Sequence, residues 1–550
     1  MSLLALIATF VVTAALLASV PAALRLVDYG ARAIAALGRR PILASLTVFA
    51  ITAALGVVPT IIWSVPVPAI HDEFAYLLAA DTFVHGRLTN PTPPMWEHFE
   101  TFHEIMTPTY ASKFPIAQGV ALAIGQIIAH PIVGVWLSTA LGALAIYWML
   151  RAYFAPRWAL LGGMLAAIHA TTQWYVTSYW GGGVGVIGGA LVGGACARAV
   201  RLPSVKLGVV LGLGLAILAN SRPFEGLILA GIVIPVMLFR GRQTAVVVRL
   251  LLPAGAVLVP TFTFMGYYNW RVTGDALTLP YALHARQYMS APLFYWQPPP
   301  DPIVYRHDEL REFFLSDELK TYRSSATFRG FLRHSGDQTR MLLLEYLHPL
   351  TLAIPLAAGV FAARNNRGAR AALAVCVLLP GIHLLVTPWM RVQYMAPGAG
   401  FFFVLVVAGL RNLCATSLSR TRFGRIVACA TLVTLIVSPL PRAITLNELG
   451  HRAPAVHRAR LIEQLSARGG KFLVLVDEIP GRLGGFEWVF NGADLEDAGV
   501  IFARSMNPHA DRALFERYSQ RNLWGIVADE PTVRDGPLRR TATTEPDAPR

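Results

Sequence analysis

Apolar runs of membrane-crossing length alternate with short polar connections along most of this chain, and three long polar segments interrupt them. A helix needs about 20 apolar residues, with a range of about 17–25, to cross the hydrocarbon layer. On that measure helices are expected to span near residues 2–20, 42–63, 131–150, 157–176, 183–200, 206–220, 224–240, 245–266, 341–362, 370–388, 396–413 and 426–441. Residues 116–129 (IAQGVALAIGQIIA) are apolar but short and are followed by Pro131, so a helix lying at the interface is expected there. The long polar segments are 64–130, 267–340 and 442–550. In the last of them, 453–468 and 509–521 read as helices and 471–477, 498–505 and 522–528 as strands, the alternation of a small α/β domain. From about residue 534 the chain is rich in Pro, Thr and Arg and is expected to be disordered. The expected fold is therefore a polytopic α-helical membrane protein of about twelve helices with a small C-terminal α/β domain.

Composition agrees with the pattern. Of 550 residues 55% are hydrophobic and 14% charged, with mean hydropathy +0.50; a soluble domain carries about 25% charged residues. The net charge of +15 does not imply a nucleic-acid partner, because the basic residues fall in short clusters between apolar runs. Arg25/Arg32/Arg39/Arg40, Arg151/Arg157, Arg198/Arg201/Lys206, Arg240/Arg242/Arg249, Arg364/Arg367/Arg370 and Arg411/Arg420/Arg422/Arg425 occupy alternate connections. The intervening short ones carry little: none at 177–182, Arg222 at 221–223 and Arg391 at 389–395. Basic connections face the cytoplasm. Threaded with its N-terminus outside, the chain presents all three long polar segments on the outer face. Residues 2–20 lack the positive n-region of a secretory signal, so they read as a retained first helix. The four cysteines lie in or beside apolar runs and imply no disulfide framework. Arg far outnumbers Lys, and Ala and Gly are abundant, as in a GC-rich bacterial genome. The expected location is the bacterial inner (plasma) membrane, with the active site and C-terminus on the periplasmic side.

Candidate chemistry starts at His71-Asp72-Glu73, just past the second span. Carboxylates beside hydrocarbon are costly and ask for a reason. One reason is local: Asp72 caps the helix that follows while Glu73 complements its dipole. The other is catalytic. On a helix the two side chains diverge by about 100°, so one can be buried while the other faces a cavity and takes a proton from a hydroxyl as general base. In EHFETFHE, His98 and His103 stand at i, i+5 with Glu100 and Glu104 between. A metal pair is usually i, i+4, so substrate binding or a solvated loop is the alternative. Tyr179 and Trp180, before three glycines, suit sugar stacking or interfacial anchoring. Arg222, Arg271 and Arg391 sit at outer helix ends, where arginines either snorkel to head groups or, as a set with Tyr394, grip a phosphate. His307-Asp308-Glu309, ahead of ELREFFLSDELK, reads as solvated surface.

Asp72-Glu73, Ser112-Lys113-Phe114-Pro115, Tyr179-Trp180-Gly181-Gly182, Arg222-Pro223, Asn269-Trp270-Arg271 and Arg391-Val392-Gln393-Tyr394 occur in an order that resembles the GT-C glycosyltransferases. Within these the likeness is to the protein O-mannosyltransferase and lipid A aminoarabinose transferase relatives. The resemblance covers residues 42–441, with 1–41 as an accessory helix and basic loop, 442–533 as a periplasmic domain and 534–550 as a tail. It implies a polyprenyl-phosphate-linked sugar as donor and a glycan, lipid or protein hydroxyl as acceptor. It further implies catalysis by Asp72 with Glu73 in support, donor-phosphate contacts from Lys113, Arg222, Arg271, Arg391 and Tyr394, and substrate contacts from His98, His103, Tyr179 and Trp180. No cofactor is required by the motifs, and a divalent cation (Mg or Mn) is left open. The family usually has Lys-Pro-Pro where this chain has Lys-Phe-Pro.

Three rivals share parts of the pattern. A lipid-linked glycan flippase or transporter calls for ionisable residues deep in the spans, where only Glu225, Glu345, His169 and His383 occur. A polysaccharide polymerase or ligase shares the topology but not the Asp-Glu entry. A non-catalytic scaffold for the tail is the third.

Overall fold

The computed structural model describes residues 3–240, 243–348, 350–415, 423–437, 454–478, 486–529 and 532–538. The chain divides into two compact units, each assembled from three separate stretches. The first comprises Met1–Ser64, Gly134–Thr263 and Arg333–Leu446; the second comprises Val65–Val133, Phe264–Leu332 and Asn447–Arg550.

The first unit is helical. Among the described residues, Pro41–Ile62, Pro131–Leu150, Thr244–Thr273, Arg367–Val386 and Val392–Ala415 are long and apolar enough to cross a membrane. The chain is therefore a multi-pass membrane protein. Of the twelve spans expected, 206–220 and 426–441 are short, and the structure differs at several: Gly183–Ala199, Val205–Ala219 and Phe423–Val437 are helices of 17, 15 and 15 residues. The expected span at 157–176 is two helices, Pro156–Ile168 and Ala170–Tyr175. Between them His169 takes an extended conformation, and its Nδ1 accepts the Thr171 amide hydrogen as an N-cap. With Nδ1 accepting, Nε2 donates to the Tyr346 carbonyl at 3.0 Å. The expected span at 341–362 is likewise divided, between Phe328–Tyr346 and Leu350–Ala362, which are bent by 94°. Residues 21–38, expected to be part of a loop, form the amphipathic helix Pro21–Gly38.

Helices in hydrocarbon gain little from hiding apolar surface from one another, so close backbone approach must hold them. Ala399–Ala415 shows how: every residue from Ala399 to Leu410 is buried. A Cβ on Gly409 would collide with the Pro355 carbonyl of the helix Ala353–Ala362.

In the second unit β1 (Glu104–Ile105) and β2 (Ala111–Ser112) make a short antiparallel pair. A four-stranded sheet contains β3 (Phe472–Glu478), β4 (Val500–Arg504), β5 (Asn522–Asp529) and β6 (Thr532–Pro537), in the order β4-β3-β5-β6. β3 runs parallel to β4 and β5, and β6 closes the edge antiparallel to β5. The three strands read from the sequence are present, with the helices Pro454–Arg468 and Pro508–Arg517. Expected disorder from 534 is corrected through Pro537, which is in β6; residues 539–550 lie outside the described residues.

The core around the sheet is shared with the segment that opens the second unit. Phe74 and Leu77, from the helix His71–Val84, pack with Val474, Trp488, Phe502 and Ile526. Leu78, Phe99, Met106 and Tyr110 pack with Leu475, Ile501 and Phe515. Polar ties reinforce this union. Asp81 accepts from the Ala493 amide at 2.7 Å, Arg87 donates to Asp494 at 2.6 Å, and the Tyr110 hydroxyl donates to the Asn491 carbonyl at 2.8 Å.

Candidate functional site

The helix His71–Val84 begins with the Asp72-Glu73 pair, and the structure separates their roles. Glu73 Oε2 turns back to accept the Ala69 and Ile70 amide hydrogens at 2.8 and 3.3 Å. This satisfies donors that a helix start leaves unpaired. Asp72 is thereby released from the capping duty that the sequence offered it.

Asp72 is buried, and its Oδ2 lies 3.1 Å from His71 Nδ1 and 3.8 Å from His103 Nε2. His103 Nδ1 donates to the Phe102 carbonyl at 2.7 Å. That bond fixes the tautomer, so Nε2 turns a lone pair toward the carboxylate side. Burial, followed by the charges of Lys113, His71 and His284, holds the His103 pKa well below the ordinary imidazole value. His103 is neutral. His71 Nδ1 is buried and makes no hydrogen bond. The ring of His71 rests on Phe102 (5.4 Å), His103 (4.3 Å) and Phe313 (4.9 Å), an aromatic wall around one face of the carboxylate.

Lys113, held by β2 and the turn after it, is 3% exposed. Its ammonium lies over the Tyr281 and Phe114 rings at 4.9 and 5.3 Å. Burial pulls its pKa down to about 8, against the opposing pull of Glu318 and Asp72. Burial also pushes Glu318 up to about 7, while Lys113 and His71 draw it back. Glu318 Oε2 is buried without a hydrogen-bond partner. The resulting constellation contains one buried carboxylate, two imidazoles, a buried ammonium and a second carboxylate. It can accept a proton, hold a negative group against Lys113, or ligate a cation. His71, Asp72 and His103 each offer one donor atom, all within 4.8 Å of one another.

His98 is 1% exposed, and its Nδ1 bonds the Arg504 carbonyl at 2.9 Å, joining loop to sheet. Arg271 is exposed, and its Nη1 donates to the Tyr267 hydroxyl at 3.3 Å. In the helical unit the Arg222 guanidinium lies 4.7 Å over the Tyr394 ring. Arg391 is exposed at the start of the short helix Val392–Gly398. Tyr179 is 2% exposed, and Trp180 stacks edge-on against Trp174 at 5.9 Å.

Sequence reasoning missed Glu318, His284 and Phe313. The run containing two of these was expected to be solvated; Asp308, Arg311, Ser316, Asp317 and Lys320 are exposed, but the opposite face is buried. His307 is 4% exposed, Leu310 1% and Phe314 0%. Glu312–Leu319 is a π-helix, which winds more loosely than an α-helix. A projection at 3.6 residues per turn therefore misplaces Glu318. The signal that was available is the pair of adjacent aromatics, Phe313 and Phe314, inside a charged run.

No protein-family model matches the sequence, and no curated protein sequence does either. Solved structures do match by fold. One is ArnT from Cupriavidus metallidurans in the apo state, with TM-score 0.53, 13% identity, and cover of 89% of this chain and 92% of that one. The same protein bound to undecaprenyl phosphate gives TM-score 0.51 at 13% identity, again over 89% and 92%. The archaeal oligosaccharyltransferase AglB from Archaeoglobus fulgidus, in complex with an inhibitory peptide and a dolichol-phosphate, gives 0.46 at 13% identity over 88% and 69%. The chain thus shares its fold with ArnT.

Proposed function

We propose that the protein is a membrane glycosyltransferase that moves a sugar from a polyprenyl-phosphate donor to an acceptor hydroxyl on the periplasmic face of the bacterial inner membrane. The observation that carries this reading is Asp72. It is buried, it is freed from capping by Glu73, and it is flanked by a neutral histidine and a buried lysine. The shared fold with a protein solved bound to undecaprenyl phosphate supports the donor class.

Asp72 takes the proton of the acceptor hydroxyl as its oxygen attacks the anomeric carbon. The bond from that carbon to the phosphate oxygen breaks on the opposite face, so configuration inverts. The electron pair leaves on the polyprenyl phosphate, whose charge needs a cation rather than a proton. Lys113 supplies it. Arg271, in the same unit, remains a further phosphate candidate. Replacing Lys113 with Met is expected to raise the donor KM about 10- to 150-fold. This is the range for losing a charged hydrogen bond of about 1.5–3 kcal/mol. The assay is purified protein with a panel of radiolabelled polyprenyl-phosphate sugars, and failure to bind any of them overturns the proposal.

A divalent ion would be held by His71, Asp72 and His103, and it would add positive charge where the phosphate departs. The orphaned His71 Nδ1 fits a ligand role. Two imidazoles with one carboxylate suit zinc or manganese better than magnesium. Metal analysis of the purified protein is expected to give close to one equivalent of ion per chain, lost in His103→Ala. Full retention by that variant removes His103 from the set.

A further inference from the structure

Arg504 closes β4, is 2% exposed, and uses all three of its side-chain nitrogens. Nη1 meets Glu478 at 3.1 Å and Nη2 meets Glu487 at 2.8 Å. Glu478 ends the neighbouring strand β3, and Arg504 pairs in register with Val476 of that strand. A planar guanidinium gripped by two acids has one orientation, so its third nitrogen is aimed as well. That nitrogen, Nε, donates to the Glu100 carbonyl at 2.9 Å. Two more contacts land on the same loop. His98 Nδ1 donates to the Arg504 carbonyl at 2.9 Å, and the guanidinium lies 5.6 Å over the Phe102 ring. Every second residue from His98 to Phe102 is thus fastened to one residue more than 400 positions later.

The next residue of that loop is His103. The Phe102 carbonyl takes the Nδ1 hydrogen of His103 at 2.7 Å, and His284 Nε2 donates to the same oxygen at 2.8 Å. Where that carbonyl points decides which ring nitrogen of His103 is bare, and so what faces Asp72 Oδ2, 3.8 Å from Nε2. Further along, the His103 carbonyl accepts from the Lys113 amide at 3.2 Å. That bond holds the peptide after His103. The peptide before it, which sets the ring, is left to the Arg504 side. We propose that Arg504 is a positioning residue of the candidate site: by holding the loop at Glu100 and Phe102 it fixes the Phe102 carbonyl, and with it the tautomer and placement of the histidine beside Asp72. The C-terminal sheet is then part of the site rather than an appendage. A clamp mounted on a strand holds geometry more closely than one on a loop. The effect on turnover rests on the glycosyltransferase reading, whereas the hold on His103 does not.

The test uses two full-length variants in nanodiscs. Arg504→Met combined with Glu478→Gln and Glu487→Gln removes the clamp without leaving a buried charge unpaired. Arg504→Lys keeps a charge between the acids but lacks the fork, and it decides the outcome if the triple variant misfolds. Protein isotopically labelled at histidine nitrogen alone is read by solid-state NMR, the His103 signals being those lost in His103→Gln. The wild type is expected to give a single pair for His103, a protonated Nδ1 and a bare Nε2. In each variant that keeps a cooperative denaturant transition, the pair is expected to shift or split. Its kcat is expected to fall about 10²-fold, the loss that a displacement of about 1 Å brings. A folded variant that keeps the wild-type His103 pair overturns the inference, whatever its rate, and so does a wild type showing both tautomers. An altered pair with undiminished sugar transfer would remove His103 from the glycosyltransferase reading and leave the clamp standing. A wild type that transfers no sugar sinks that reading, and the histidine signals still decide the clamp.

Discussion

Asp72→Asn is expected to lower sugar transfer about 10²–10⁴-fold, the usual contribution of a positioned general base, while the protein still inserts and folds. The asparagine has the same shape and the site is closed, so little can move in to replace the lost basicity. The helix start does not depend on Asp72, because the capping bonds come from Glu73. Glu73→Gln is the matched control. Its amide oxygen can still accept from the Ala69 and Ile70 amides, so most of the activity should survive. Turnover of Asp72→Asn at the wild-type rate would remove Asp72 from the role of base.

Arg504→Met is expected to cost about 3–5 kcal/mol of stability, the range for stripping one partner from a buried ion pair. Arg504 is 2% exposed and meets Glu478 at 3.1 Å and Glu487 at 2.8 Å, while its Nε donates to the Glu100 carbonyl at 2.9 Å. Burial already pushes both carboxylates toward the protonated form, and the guanidinium is what offsets that push. Without it two acids face each other inside the sheet. The variant should show early proteolysis after about residue 454 and loss of activity, read by limited digestion and denaturant titration in detergent. Adding Glu478→Gln and Glu487→Gln should recover much of the lost stability, because neutral polar groups need no counter-charge. A single variant as resistant as the wild type would refute the ion-pair account.

Much of the architecture was legible because its signals are local. Apolar length marked the long spans, and short apolar runs such as FLVLV marked the inner strands. What failed depends on distant partners. His169 breaks a helix that hydropathy draws as continuous, and the break is stabilised by Thr171 and by a carbonyl far along the chain. β6 contains Gly536 and Pro537, so nothing in its composition announces a strand; pairing with β5 makes it one. In the candidate site, Asp72 and Lys113 are the residues that the sequence had already singled out. The sequence could not decide which of two adjacent acids would cap the helix, nor foresee that His98 serves the sheet while Glu318 serves the site. Those assignments depend on three stretches that come together only in the folded chain.

That assembly has a consequence for how the protein comes into being. Phe74 and Leu78, on the helix that starts with the proposed base, finish their packing against Ile526 and Ala528 and against Leu475 and Ile501, more than 390 residues later. Contacts so far apart in sequence form late and slowly. The helix His71–Val84 therefore finishes its packing only once β5 has been made, and a chain that stops before β5 leaves Phe74 without Ile526 and Ala528.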